Sequence, residues 1–501
     1  MAQYFLSLEH NESSRDPKQL CDIFVGVDVW GRGQHGGGGM SCYKALTHID
    51  PEFLGLSTAL FGHAWTWESE QDKPGWDWDA WWKYERIFWI GPMDPVDTPD
   101  VEDPNPPGHP DSQCTHGPFR PITSFFAREP PPNPAILPFF TSFSPGVGKA
   151  WFVNGLKVWE TSTKGWTDLD KNCSVGDLLW PRPVLAWHDS DRSEEVPSAI
   201  PDLDMGDAWL GGNSVRLTLS VAGSDAEDAF FRCLWIPIQS QAVTPGISYV
   251  VTIVYKDNFD NSGVEGDLGL FAKTPGDPSD QATVSPLGAL CGELERGWKR
   301  LSAMISVPAD SSSTSDALLA VGLVLGFAMD DPTIPLDLTI TLGTLAVHPA
   351  IDPSTVEPSP RLIWADHRLS TPPEVPGQAT RFAGVLSWEV GEYLPPLTPI
   401  TLMGPEDPKP AWLPGSRALN LLHFNVYALP HASNIPALRP EDAVFIGTTG
   451  FDGRANQFYV DPACIASLVG DAQVVRFYVQ GVTQQGNVLP WKDCVFVDVS
   501  N

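Results

Sequence analysis

The chain has 501 residues, of which 62 are acidic and 31 basic, so its formal net charge is −31. This charge repels phosphate groups, and we therefore expect neither nucleic acid nor a membrane surface as a partner. A chain of this length holds roughly two to four domains, and its hydrophobic content of 42% supplies material for their cores. Eight cysteines lie scattered without a C-x-x-C pair, and no signal peptide or membrane-length apolar run is recognisable, which predicts a cytosolic protein with reduced thiols.

The first predicted element is a buried strand over Ile23–Val29, which is followed by a glycine-rich loop. Six of the nine residues from 31 to 39 are glycine, and Arg32 comes four residues after Asp28. Polar side chains at the end of a buried strand are where α/β proteins place groups that face a ligand. Asp28 and Arg32 are therefore the first candidate binding residues.

The same loop contains Gly31-x-Gly33-x-x-Gly36, and a helix is predicted after it over Ser41–His48. Three interpretations remain open: a dinucleotide-binding turn, a structural turn that needs positive φ, and a loop that faces a sugar. Asp28 lies within the strand, and the later sequence lacks alternating βα units, which argues against the dinucleotide interpretation.

A second βα unit follows, with a strand predicted over Gly55–Phe61 and a helix over Trp76–Trp89. The helix carries tryptophans at helical spacing, which we expect to pack against the sheet: Trp81, Trp82 and Trp89. Short strands that alternate with helices predict a parallel sheet in residues 1–91. Residues 92–135 are rich in proline and acid, which predicts an extended linker.

The rest of the chain reads as two all-β domains with regular turns and no long helix. Residues 136–350 have the short alternating strands of a jelly-roll-like sandwich, such as Ser214–Val221 and Tyr249–Tyr255. Residues 358–501 have the pattern of a fibronectin type III-like sandwich, with strands near Gly384–Glu389, His423–Ala428 and Val474–Val482.

Several motifs resemble glycoside hydrolase family 85, the cytosolic endo-β-N-acetylglucosaminidases that cut the di-N-acetylchitobiose core of N-glycans. They are the run Val25-Gly26-Val27-Asp28-Val29-Trp30-Gly31-Arg32-Gly33 with its glycines, Leu56 to Glu68, Trp81 to Trp89, Leu137 to Phe143 and Asp207 to Ser214. The resemblance covers most of residues 20–260. It implies a multidomain chain in which the C-terminal portion of a TIM-like (β/α) barrel precedes the two all-β sandwich domains.

The resemblance also implies a mechanism, in which the 2-acetamido oxygen of the substrate attacks the anomeric carbon and forms an oxazoline. A Glu acts as acid and then as base, and an Asn two residues before it orients the acetamide. No Asn-x-Glu occurs in this chain, and only 23 residues precede Phe24. We therefore expect this chain alone to be inactive, and the coding sequence to extend upstream of Met1.

Five residues are expected to contact the substrate: Asp28, Arg32, Trp65, Trp67 and Glu68. Trp65 matches the tryptophan of the family's "PGW" and is the best candidate for an aromatic wall against the sugar. No metal-ligand cluster is recognisable in the sequence, and no cofactor is expected. The expected partners are N-glycans or free oligosaccharides, and the oligomeric state stays open.

Two further functions remain as alternatives. The first is a non-catalytic carbohydrate-binding protein that uses the sandwich of residues 136–350. The second is a structural or interaction module built from both sandwiches, with neither activity nor sugar binding.

Overall fold

The computed structural model divides by its contacts into two compact units, residues 1–130 with 180–182 and residues 131–179 with 183–501. It describes residues 19–33, 35–101, 116–161, 165–180, 183–188, 192, 194–226, 229–259, 264–274, 282–309, 315–350, 360–369, 382–392, 421–431, 438–451, 456–470 and 472–500. Residues 1–18 of the predicted barrel segment, 102–115 of the predicted linker and 351–359 between the predicted sandwiches lie outside these ranges.

The first unit is built on two parallel strands with helices between and after them. Its elements are β1 (Phe24–Asp28), α1 (Cys42–Ile49), α2 (Pro51–Leu54), β2 (Ser57–Phe61), α3 (Trp65–Glu68) and α4 (Trp78–Trp89). Phe24 pairs with Ser57 and Asp28 with Phe61, so the carboxyl ends of both strands lie side by side. The predicted βα pattern and parallel pairing are confirmed in this part of the chain.

The core of this unit forms where β1, α1 and α4 meet. Val27, Leu46 and Phe88 are at most 1% exposed, because the apolar residues of each element point to one side. Ile122 and Phe125 join the same cluster. The described end of the proline-rich segment therefore packs onto this core and does more than connect two domains.

α4 begins at a well-defined cap. The side chain of Asp77 accepts hydrogen bonds from the backbone N–H groups of Asp79 and Ala80, at 3.1 and 3.0 Å. Such a cap satisfies two of the free N–H groups at the start of a helix. Trp81 and Trp82 are 8% and 7% exposed, as expected for the face that packs inward.

The second unit is almost entirely β-structure. Its strands up to residue 349 are β3 (Phe139–Thr141), β4 (Pro145–Gly148), β5 (Ala150–Val153), β6 (Leu156–Glu160), β7 (Trp166–Asn172), β8 (Ala186–Trp187), β9 (Ser198–Asp204), β10 (Leu210–Gly211), β11 (Ser214–Val221), β12 (Phe231–Val243), β13 (Ser248–Asp257), β14 (Glu265–Lys273), β15 (Thr283–Pro286), β16 (Gly292–Glu293), β17 (Lys299–Ser306), β18 (Ala317–Ala328) and β19 (Leu336–Pro349).

Two antiparallel sheets dominate this region. One runs in the order β15-β17-β13-β19-β11-β9, with β16 on β17 and β3 on β19, and the other runs β14-β18-β12-β8. Smaller sheets pair β10-β5-β6 and β4-β7. Alternate residues of the long strands are buried, which is the period-two pattern of a sheet with one covered face.

The last part of the unit contains two further sheets. Its elements are β20 (Pro360–Leu369), β21 (Gly384–Glu392), β22 (Leu421–His431), β23 (Val444–Thr448), β24 (Gln457–Val460), α5 (Pro462–Val469), β25 (Val474–Thr483) and β26 (Val495–Ser500). The sheets run β20-β21-β24 and β23-β22-β25-β26, and both contribute to one apolar cluster that includes Trp388, Phe424 and Phe477.

A second cluster joins strands on either side of the predicted domain boundary. Trp151 and Val153 of β5 pack with Tyr427, Phe445 and Tyr478 of the C-terminal sheet. This shared apolar contact explains why residues 131–179 and 183–501 form one compact unit.

Among the described residues, no helix combines the length and the apolar character that a bilayer crossing needs. Seven cysteines fall in this part of the chain, and all seven are free thiols.

Candidate functional site

The best candidate site lies at the carboxyl ends of β1 and β2. The backbone N–H of Val29 donates to the carbonyl of Phe61 at 2.9 Å, which holds the two strand ends together. Arg32 approaches Asp28 with two nitrogens: Nε lies 2.8 Å from Oδ2 and Nη2 lies 3.2 Å from Oδ1. The backbone N–H of Trp30 also donates to Asp28 Oδ1, at 3.1 Å. The structure thus brings two of the predicted residues, Asp28 and Arg32, into one ion pair.

This ion pair determines what Asp28 can do chemically. The hydrogen bonds from Arg32 lower the pKa of the Asp28 carboxyl below its ordinary value. Asp28 is therefore ionised at neutral pH, and it serves as a hydrogen-bond acceptor rather than as a proton donor. The side chain of Arg32 remains 63% exposed, so its remaining N–H groups face solvent.

Aromatic rings flank the ion pair and enclose a shallow pocket of about 330 Å³. Its lining consists of Trp30, Arg32, Phe61 and Gly62. Trp30 and Phe61 are 41% and 64% exposed, and the guanidinium of Arg32 lies 5.3 Å from the centre of the Phe61 ring. Flat apolar rings beside fixed polar groups are what a binding site for a small polar ligand needs.

Trp30 and Phe61 are not among the residues predicted to bind the substrate. A signal was present, because both stand at the carboxyl end of a predicted strand, where ligand-facing groups collect in α/β proteins. Their exposure depends on the strands being short and on the pairing of Asp28 with Phe61, which the sequence pattern does not specify.

Trp65 lies in a different pocket of about 600 Å³. This pocket is also lined by Met40, Ser41, Tyr84, Ile87, Asp97, Pro99, Asp100 and Val101. The ring of Trp65 is 5.4 Å from the ring of Tyr84 and 6.2 Å from that of Phe88. Trp65 is half-buried, so one part of its ring packs inward while another part faces the pocket.

Trp67 and Glu68 line neither of these two pockets. The ring of Trp67 stacks on Trp78, with 4.2 Å between centroids and an interplanar angle of 28°. Glu68 is exposed on α3. The structure thus separates the five predicted residues into an ion pair, one pocket wall, one stacked ring and one surface carboxylate.

The glycine-rich loop folds back on the end of β1. A Cβ atom on Gly31 would lie 2.0 Å from the carbonyl oxygen of Gly37, and one on Gly38 would lie 2.5 Å from that of Val29. Both glycines also have positive φ. Here the glycines permit close backbone packing, which is the structural role left open by the sequence.

Glu85 of α4 has a largely buried carboxyl group. Burial raises the pKa of the Glu85 carboxyl, while the indole N–H of Trp89 donates to its Oε1 at 2.8 Å. Neither pocket is lined by this side chain, and its hydrogen bond to Trp89 lies within α4.

Three histidines of the first unit were also missed. Ring nitrogens of His35, His48 and His116 all lie within 4.8 Å of one another. His116 is 81 residues from His35 and 68 from His48 in sequence. No short metal-binding motif could reveal such a set.

Trp209, in the family-like motif from Asp207 to Ser214, packs against another tryptophan. The ring of Trp209 is 6.1 Å from that of Trp298, which is fully buried. Lys256 lies 4.6 Å from the Trp298 ring centre and pairs with Asp207 at 2.5 Å. This arrangement is a packing cluster.

The strand-end ion pair, exposed aromatic rings and parallel βα topology make the first unit an α/β segment with a candidate site for a polar ligand. Residues 3–151 match the family model described as glycosyl hydrolase family 85. This match confirms the predicted resemblance to glycoside hydrolase family 85 for this segment of the chain.

A similar curated protein is the cytosolic endo-beta-N-acetylglucosaminidase of Gallus gallus, which is 24% identical over 241 residues. This match covers 48% of the present chain and 25% of the relative, so the chain spans a quarter of the length of that protein. Among solved structures, the glycoside hydrolase domain of Endo-D from Streptococcus pneumoniae R6 is 15% identical with a TM-score of 0.49. That alignment covers 96% of this chain and 58% of the other.

Proposed function

We propose that this chain carries part of an endo-β-N-acetylglucosaminidase site and binds the GlcNAc-β1,4-GlcNAc core of N-glycans. The observation that carries the proposal is the Asp28–Arg32 ion pair, whose arginine lines a pocket together with the exposed rings of Trp30 and Phe61, within the segment that matches the family 85 model. The name of the chicken relative, an endo-beta-N-acetylglucosaminidase, supports the same substrate class.

Each residue has a defined task in this proposal. Asp28 accepts hydrogen bonds from sugar hydroxyls, and Arg32 holds the carboxylate and donates to the ligand with its exposed N–H groups. Trp30 and Phe61 cover the apolar faces of the sugar ring. Trp65 forms a second wall, while Trp67 and Glu68 extend the contact surface beyond the two pockets.

The reaction would be the retaining, substrate-assisted route through an oxazoline. That route needs an acid and an orienting amide, and the chain contains no Asn-x-Glu. We therefore propose that this chain binds the glycan core without cleaving it, and that further polypeptide would supply the catalytic pair.

The finer fold assignments belong to the same proposal. Residues 1–91 would be the C-terminal portion of a TIM-like barrel, with 92–135 following as a segment that covers it. Residues 136–350 would be a jelly-roll-like sandwich, and residues 358–501 a fibronectin type III-like sandwich. The alternating burial of β11 and β18 and the core shared by β21, β22 and β25 support the sandwich assignments.

We also propose that the protein acts in the cytosol on N-glycans or free oligosaccharides. Two observations support the cytosol: the described cysteines form no disulfide, and the chicken relative is named a cytosolic enzyme.

Binding is tested by titrating the chain with N,N′-diacetylchitobiose while recording tryptophan fluorescence, with cellobiose as a ligand that lacks the acetamido groups. We expect saturable quenching by chitobiose alone, because Trp30 and Trp65 line the pockets. Arg32→Ala should weaken binding by about tenfold, as expected when a charged hydrogen-bond donor is removed.

Lys73→Ala is the matched control, since Lys73 is an exposed cation of the same unit that pairs with Glu70 outside both pockets. It should bind chitobiose like the unmodified protein. Quenching that is equal for chitobiose and cellobiose, or that is insensitive to Arg32→Ala, would contradict the proposal.

A further inference from the structure

Three imidazole rings converge beside the glycine-rich loop of the first unit. His35 Nε2 lies 2.8 Å from His116 Nε2, and His48 Nε2 lies 3.0 Å from the same atom. The ring centroids are 4.5 to 5.1 Å apart, and the rings meet edge-on or tilted rather than stacked. The three rings therefore place their nitrogens within one small volume.

The fold brings these histidines together from three separate segments. His48 lies in the last turn of α1, and His35 lies in the glycine-rich loop that precedes that helix. A Cβ on Gly36 would lie 2.8 Å from the Cβ of Lys44, so a glycine here lets the loop reach the helix. Tyr43 Oη donates to the carbonyl of Gly117 at 3.2 Å, which holds the segment that carries His116 against α1.

Hydrogen bonds among the rings alone do not explain this arrangement well. An imidazole nitrogen has one in-plane direction, along which it carries either a proton or a lone pair. His116 Nε2 has two partners at hydrogen-bond distance, and only one of them can lie on that direction. A cation placed between the rings would use all three lone pairs at once.

We propose that His35, His48 and His116 form a binding site for a divalent transition-metal ion of the Zn²⁺ class. Neutral imidazole is a preferred ligand of Zn²⁺, Co²⁺, Ni²⁺ and Cu²⁺, whereas Mg²⁺ and Ca²⁺ prefer oxygen. Tetrahedral Zn²⁺ with bonds of about 2.0 Å places its ligand nitrogens about 3.3 Å apart, so the two contacts at His116 would lengthen by about 0.3–0.5 Å around the ion.

The site would have a structural consequence for the neighbouring loop. An ion bound to all three rings would link residues 35 and 116 to α1, and with them the loop that carries Arg32. Since a metal that binds only the folded form stabilises it, loading the site should raise the stability of the first unit. The high negative charge of the chain also favours cation binding.

The test uses the full chain without a histidine tag, stripped with EDTA, and titrated with ZnCl₂ in a calorimeter. We expect one Zn²⁺ per chain. Co²⁺ should give the intense visible absorption of a tetrahedral site, and Zn²⁺ should bleach it. A wild-type protein without a one-to-one isotherm and without the tetrahedral Co²⁺ bands would overturn the proposal, whatever the variants do.

Two variants locate the site. His116→Gln removes the ring shared by both contacts and should weaken Zn²⁺ binding by at least about 100-fold. Loss of a residue that only hydrogen-bonds a metal ligand already lowers metal affinity about 10–100-fold. His63→Gln alters an exposed histidine of the same unit outside the cluster and should bind like the wild type. Equal binding by both variants would place the ion elsewhere and contradict the assignment. Circular dichroism in EDTA checks that both variants are folded.

Discussion

Alternate residues along β18 in the second unit, Leu319, Val321, Leu323 and Leu325, are fully buried. On the two-stranded sheet of the first unit, by contrast, Phe24 and Phe61 remain 67% and 64% exposed. β18 thus buries one complete face of its strand, whereas the short sheet of the first unit keeps aromatic side chains in solvent beside a charged pair. The candidate site lies where burial is incomplete, because a ligand can only bind to groups that the fold leaves accessible.

The largest expected effect lies in the core of the C-terminal sheets. Phe424→Ala removes a ring that is 1% exposed and in edge-on contact with Trp388 at 4.9 Å. We expect a loss of about 3–5 kcal/mol in the free energy of unfolding of the second unit, measured by urea denaturation. Phe496→Ala in β26 of the same sheet, where the ring is 49% exposed, should cost less than about 1 kcal/mol. Similar losses for both variants would contradict the burial contrast.

The second prediction concerns acid stability. Burial lowers the pKa of His423 from 6.5 to about 3, so the folded state keeps this ring neutral while the unfolded chain takes up a proton. Stability contributed by His423 is therefore lost as pH falls from about 6.5 toward 3, by at most about 1.4 kcal/mol per pH unit.

His423→Leu should remove this slope from the pH dependence of the urea midpoint. His348→Leu changes a histidine of the same unit and leaves His423 in place, so the slope should persist. If His423→Leu kept the full slope between pH 6.5 and 4, its neutral burial would not be the cause.

A third, smaller effect tests the glycine-rich loop. Gly31→Ala adds a Cβ at φ +74° that would lie 2.0 Å from the Gly37 carbonyl, so we expect a loss of more than about 2 kcal/mol in the first unit. Gly33→Ala has φ +69° but meets no atom within 4 Å, and it should cost only about 1 kcal/mol. The free energy of unfolding of both variants is measured by tryptophan fluorescence during urea denaturation. Equal losses for Gly31→Ala and Gly33→Ala would show that the loop does not pack on itself.

The variant with the smallest expected effect on stability, Phe61→Ala, should still weaken ligand binding clearly. Phe61→Ala removes an exposed ring beside Arg32, so unfolding should change by less than about 0.5 kcal/mol. The dissociation constant for chitobiose should rise about tenfold, because an aromatic platform for the sugar is lost. Phe24→Ala at the other end of the same sheet, with similar exposure, should leave binding unchanged.

Much of the secondary structure was predictable, because local periodicity determines it. The strand Ser214–Val221 was predicted with its observed bounds, and the predicted strands at Tyr249–Tyr255 and Val474–Val482 lie within β13 and β25. α5 was missed, although Asp461 caps it by accepting from the N–H of Ala463 at 2.7 Å and Pro462 occupies its first position. An Asp-Pro pair before an apolar run is a helix start signal.

The candidate site was only partly predictable. Asp28 and Arg32 are four residues apart, so their ion pair follows from local sequence. The convergence of His35, His48 and His116 depends on how a distant segment packs on α1, and the contribution of Ile122 to the first core does too. Such contacts carry no local period, which is why sequence reasoning did not find them.

The central claim is that this chain provides sugar-facing residues of a family 85 site without the catalytic pair. It is tested most directly by mass spectrometry of a high-mannose N-glycopeptide recovered after incubation with the chain at saturating concentration. We predict that the glycopeptide is recovered intact from a complex with the chain. Recovery of a peptide that carries a single N-acetylglucosamine would contradict the account.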